Sequence, residues 1–151
     1  GTWKMNMCYA GASLPSRENR VTLNIKKKDQ WGRPLVVVDC EFKDNEKAMH
    51  DDVAISGKEI MEAAGFKNIT INGSMSFPGN SNHEMGTARM GADPKTSVLN
   101  KYNQMHEVPN VFITDGSCMV SSACLNPSLT YMALTARACD YAVREMKKLN
   151  I

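Results

Sequence analysis

The stretch that constrains this chain most begins at Asn126-Pro127, because it says where a long helix starts. Asparagine is among the strongest helix caps. Proline in the first helical position sacrifices no hydrogen bond, since that amide proton is unpaired in any helix. Leu129, Met132, Ala133, Ala136, Val143 and Met146 follow at near-helical spacing and are the expected buried face of a helix over 126–148. Lys147 and Lys148 suit the negative end of its dipole, and the positive end would stabilise an anionic or electron-rich group placed before Asn126. A capped helix also stands without any ligand, so this feature alone names no chemistry.

Upstream, Val21, Leu23 and Ile25 alternate with Thr22, Asn24 and Lys26, the period of a half-buried strand. The polar Lys26–Pro34 stretch then reads as a turn and Leu35–Phe42 as a second strand, together an antiparallel hairpin. Asp44 or Asn45 can cap the next helix, with Met49, Val53, Ile60 and Ala64 as its apolar stripe and Gly65 just past its end. Phe66–Gly73 reads as a short strand, and the small, polar residues from Ser74 to Asn82 as a crossing between two layers or lobes. Val98-Leu99 and Val111–Thr114 are two further short strands, which makes the fold class α/β (α+β).

Composition removes several function classes. A net charge of +2 with scattered basic residues gives no footprint for nucleic acid. No apolar run approaches the ~20 residues of a membrane span. The five cysteines are an odd number without a CxxC pair, and with three dispersed histidines they suggest no metal site. Reduced thiols and a start (GTWKMNMCYAG) without a basic-then-apolar leader pattern lead us to expect a cytoplasmic protein.

Chemistry concentrates between His83 and Thr130. His83 precedes Gly86 in a segment that also carries Gly91; small residues admit close backbone approach, and a histidine can serve as acid or base near neutral pH. A loop histidine can equally be a packing residue, as His50 and His106 look to be. The apolar run Val111–Thr114 delivers Asp115 at its end, where a carboxylate can accept hydrogen bonds from sugar hydroxyls, although Asp-Gly is also an ordinary turn. No P-loop, GxSxG or GxGxxG pattern occurs.

In order and spacing, His83–Gly91 (HEMGTARMG), Val111–Ser117 (VFITDGS) and Asn126–Thr130 (NPSLT) resemble the C-terminal region of the glucose-methanol-choline (GMC) oxidoreductases. The likeness is close over about residues 80–147, and Pro15–Leu23 with the WGRP turn looks like the family's preceding segment. Ala88 departs from it, standing where many members have cysteine. The resemblance implies an FAD enzyme oxidising an alcohol, with sugars and glycosides as the substrate flavour. It implies that His83 is the base that takes the hydroxyl proton, and that Asn126, which cannot be a base, hydrogen-bonds the substrate oxygen. It further implies that Asp115 and Gly116 approach the ribityl-diphosphate portion of FAD, while Asn126, Pro127, Ser128 and Thr130 form the helix start facing the isoalloxazine.

On this resemblance, residues 1–77 are part of a substrate-binding sheet with one helix, and residues 78–151 are the C-terminal part of an FAD-binding domain with the catalytic loop and final helix. The family binds ADP through a GxGxxG-bearing βαβ unit, which this sequence lacks. The implied partner is therefore a chain or N-terminal segment carrying the dinucleotide-binding half, and this chain is a fragment or one subunit of an enzyme. The alternative expectation is a catalytically silent subunit that docks onto a flavoprotein.

Overall fold

The computed structural model describes residues 2–123 and 125–151; Cys124 lies outside them. Two compact units result, Gly1–Asn80 and Ser81–Ile151.

The first unit contains β1 (Arg20–Lys28), β2 (Pro34–Asp39) and α1 (Asp44–Ala63). The strands pair antiparallel as expected, in a register that opposes Val21 to Val38 and Leu23 to Val36. That register slips between Asn24 and Lys28, where the Asn24 side chain accepts the Lys26 and Lys27 amides, each at 3.1 Å. The turn closes through the Asp29 carboxylate, which accepts the Trp31 and Arg33 amides, while Gly32 takes the left-handed backbone (φ +81°) that the turn requires.

Helix α1 stops where Gly65 predicts. Gly65, at φ +85°, donates to the Glu62 carbonyl and Phe66 to that of Met61, the paired bonds of a Schellman ending. Its start differs from expectation. Lys43 is the capping position, and its amide donates to the Glu46 carboxylate at 2.9 Å, so neither Asp44 nor Asn45 caps the helix. The other Glu46 oxygen accepts the Leu14 amide at 2.9 Å, fastening the leading segment to the helix. Phe66–Gly73 is not a strand; Asn68 sits at φ +57°, which breaks an extended run.

Half-buried strands are not what this unit shows. Leu23 is 60% exposed, Ile25 74% and Val36 64%, and among the described residues of the unit no apolar side chain is buried. Apolar hairpin faces of this kind gain stability only when another surface covers them.

The second unit is built from short connections around the fully buried Leu99, which bridges both Met90 and Met105. Val111–Thr114 contributes one bridge, Phe112 to Gln104, rather than a strand. Its backbone is satisfied by a turn instead: the Ile113 amide donates to the Asn103 carbonyl (3.0 Å), and the Asn103 side chain donates to the Ile113 carbonyl (2.9 Å). Helix α2 (Ser128–Lys147) packs on this layer through Tyr141, stacked on Tyr102 at 4.0 Å and met edge-on by Phe112 at 6.3 Å.

Two expectations about α2 are corrected. Asn126 does not cap it: Pro127, whose ring has no hydrogen-bonding group, holds the capping position, and the Asn126 side chain lies against His83 instead. The expected buried face is also the exposed one, with Leu129 77%, Met132 68% and Met146 60% exposed. The helix is apolar on two sides, and the side that packs inside the unit carries Tyr131, Leu134, Ala138 and Tyr141. The described residues include no helix long and apolar enough to cross a membrane.

Glu46 yields a test of the first unit. The Leu14 amide and then the Lys43 amide hold its carboxyl below the usual carboxylate range. A depressed folded value means stabilisation present above the unfolded value and lost as pH falls through the folded one. Glu46→Ala should cost about 1 kcal/mol at neutral pH, the usual worth of a cap. Hydrogen exchange of the Leu14 and first-turn α1 amides in the assembled protein should speed up accordingly, and the difference should vanish once both forms are studied below the carboxylate range. Equal exchange at neutral pH would contradict this role.

Candidate functional site

Three glycines explain how the second unit gathers the sequence blocks. Gly86 turns the chain at φ +86°. A Cβ on Gly91 would fall 2.7 Å from the Ser97 Cβ, and one on Gly116 would fall 2.8 Å from both the Glu84 carbonyl and the Tyr131 hydroxyl. With those contacts open, the Ala88 amide reaches the Ser117 carbonyl (3.0 Å) and the Met90 amide reaches that of Cys118 (2.9 Å). The His83–Gly91 segment is thereby laid along the Asp115–Cys118 turn.

Asp115 stands exposed at the start of a single 3-10 turn, Gly116–Cys118. One carboxylate oxygen accepts both the amide (2.9 Å) and the hydroxyl of Ser117. An open groove of about 400 Å³ runs beside it, lined by Ser81, Glu84, Asp115, Gly116, Ser117 and Tyr131 among others. Its lining mixes the Glu84 and Asp115 carboxylates and several hydroxyls with apolar surface, Tyr131 included.

His83 and Asn126, 43 residues apart in sequence, meet at 3.3 Å between Nε2 and Oδ1. The His83 amide donates to the Ser81 hydroxyl at 3.1 Å, which ties the histidine to the groove. Its Nδ1 is buried without a partner. Pro127 is buried, and Ser128 and Thr130 lie exposed in the first turn of α2, whose amides have no side-chain cap. Chemically, this half-buried imidazole beside a carboxamide can hold or release a proton at Nε2 while the amide fixes a neighbouring oxygen.

His106 is structural: its Nε2 lies 3.1 Å from the Ser97 hydroxyl and 3.2 Å from the Gly91 carbonyl. Sequence reading overlooked Tyr131, whose ring lines the groove and whose hydroxyl lies 3.8 Å from the Met85 sulfur. It also overlooked Asn103 and Arg137, joined at 3.1 Å. Tyr131 sits on the helical face opposite the Leu129–Met146 stripe, and Asn103 lies in a polar loop without local signature.

A family model for the C-terminal part of the GMC oxidoreductases matches residues 15–135. The chain belongs to that family, as its C-terminal region. It is 36% identical over 139 residues to 2-methyl-1,2-propanediol dehydrogenase of Mycolicibacterium austroafricanum, covering 92% of this chain and 25% of that protein. It is 33% identical to the gluconate 2-dehydrogenase flavoprotein of Pantoea cypripedii, with 97% of this chain and 25% of that protein covered. It is 35% identical to paromamine 6'-oxidase of Streptomyces fradiae, with 84% and 23% covered. The chain thus spans about a quarter of the length of these curated relatives.

Gly116 offers a direct test of the packing. Gly116→Ala should destabilise by about 1–3 kcal/mol, the usual cost of overpacking, because one of the clashing atoms is a backbone carbonyl that cannot swing away. Gly73→Ala, whose added Cβ would meet nothing nearer than 3.8 Å, serves as the matched control. Equal denaturation midpoints for the two variants would contradict the close-approach account.

Proposed function

We propose that this chain is the C-terminal fragment or subunit of an FAD-dependent oxidoreductase acting on a CH-OH group, with a sugar or glycoside as the substrate class. In this reading residues 1–77 form part of the substrate-binding sheet, and residues 78–151 form the C-terminal part of the FAD-binding domain. The observation that carries it is the 3.3 Å meeting of His83 and Asn126 beside the Asp115 groove, in a chain of GMC membership.

The residues present fit a flavin nucleotide. The second Asp115 oxygen remains to accept from a ribityl hydroxyl, the close-packed Gly116 keeps the turn flat against its neighbours, and the uncapped first turn of α2 presents amides to electron-rich atoms. The chemistry FAD supplies when bound is acceptance of a hydride at N5. His83 Nε2 takes the hydroxyl proton as the carbinol C–H breaks, and Asn126 holds the alcohol oxygen. To act as base, Nε2 must be bare, so the ring proton resides on Nδ1 and the Asn126 amide turns its NH₂ toward the ring or the substrate.

Two features support incompleteness. The chain covers about a quarter of its relatives, and both the β1–β2 hairpin and one face of α2 leave apolar side chains uncovered. The partner is then a chain or N-terminal segment with the dinucleotide-binding half.

In the assembled enzyme, His83→Ala should retain FAD while its reduction by alcohol slows about 10²-fold or more, as expected for a lost general base. Stopped-flow absorbance of the reductive half-reaction reads this directly. Unchanged kinetics would remove His83 from the mechanism.

A further inference from the structure

We propose that Asn103 and Arg137 are positioning residues: a clasp that keeps the three limbs of the site in register without touching flavin or alcohol. The inference rests on reading residues 78–151 as part of the flavin site.

Asn103 is fully buried and holds a left-handed backbone at φ +63°. Its side chain donates to the Ile113 carbonyl at 2.9 Å and its carbonyl accepts the Ile113 amide at 3.0 Å, gripping the chain two residues before Asp115. Its Oδ1 accepts from Arg137 Nη2 at 3.1 Å. The same nitrogen lies 3.6 Å from the Met90 sulfur, in the segment that begins at His83. Arg137 stands on α2, directly downstream of Asn126. From the Asn126 limb, one guanidinium therefore touches the His83 limb directly at Met90 and reaches the Asp115 limb through Asn103.

Packing alone does not require this arginine. Its residue is exposed, and α2 is already seated by the Tyr102–Tyr141 stack and the Phe112 edge contact. What it adds is direction. A charge-assisted hydrogen bond aims the buried Asn103 side-chain amide, which in turn holds the Ile113 carbonyl. Both contacts come from one nitrogen of a planar guanidinium, whose N–H directions are fixed where those of a lysine ammonium rotate. Small misplacements of reacting groups are costly to rate, up to about 10²-fold per ångström.

The test uses the assembled enzyme. Asn103→Gly removes the clasp while leaving a residue at home at positive φ, and Arg137→Met keeps an apolar stem of similar reach. Each should weaken FAD binding to the apoenzyme, read by fluorescence titration, about tenfold. Each should also slow alcohol-driven reduction of the bound flavin about tenfold, a scale within that of a modest misplacement. The double variant should be no worse than the weaker single one, as for two members of one unit. If Arg137→Met does not fold, Arg137→Lys carries the same comparison, with an intermediate loss expected. FAD affinity and reduction rate within twofold of the parent, with only the melting temperature lowered, would overturn the proposal. His83→Ala is run alongside: if it slows reduction while the clasp variants do not, the clasp alone fails, and if it changes nothing, His83 leaves the mechanism while the clasp is still judged by FAD affinity.

Discussion

The candidate site depends on one close approach, that of residues 84–90 to the Asp115–Cys118 turn. Glycine at 116 lets a backbone carbonyl and a tyrosine hydroxyl occupy the space a Cβ would take. The hydrogen bonds from Ala88 and Met90 then lock the two segments side by side. The pairing brings Glu84, the Asp115 carboxylate and Tyr131 of α2 to one groove, with His83 next in sequence to its lining. The segment is held by backbone bonds, so its side chains are free to face a ligand.

A polar interior supports this arrangement. Leu99, Cys118, Pro127 and Ala138 are buried apolar residues of this unit, and Asn103 and Gln104 are buried in it as well. Gln104 donates to the Pro109 carbonyl at 2.7 Å and accepts from the Asn100 amide at 2.8 Å, so its burial is matched by partners. Burial also pushes the Cys118 thiol up from its ordinary value, which leaves it protonated and inert beside the catalytic candidates. The uncovered faces tell the complementary story. Each large aliphatic side chain is worth about 1.5–3 kcal/mol when fully buried, and Leu129, Met132, Leu23 and Val36 collect little of that here.

Legibility in the sequence followed the range of the physics. Signals set by a few neighbours came through: the β1–β2 alternation, the glycine after α1, the start of α2 to within two residues. Burial did not, because it depends on which of two apolar sides finds a partner. Both the Leu129–Met146 stripe and the Tyr131–Tyr141 side recur at helical spacing, so periodicity alone does not say which one packs. Val111–Thr114 looked like a strand because it is apolar, but Asn103, a residue with no local pattern, takes its hydrogen bonds. Of the candidate site, order and spacing named His83, Asp115 and Asn126, and the structure brings His83 and Asn126 together. The turn of Asn126 away from its helix toward His83 was not readable, since a capping asparagine and a site asparagine share one sequence signature.

The central claim is that Asp115 and the first turn of α2 form part of a flavin-binding surface. Hydrogen exchange of the assembled apoenzyme with and without FAD measures this independently of turnover. The account predicts slowed exchange over residues 115–118 and 128–131 on adding FAD, with β2 amides unchanged. Protection confined to the dinucleotide-binding half, with both of those stretches exchanging as before, would contradict it.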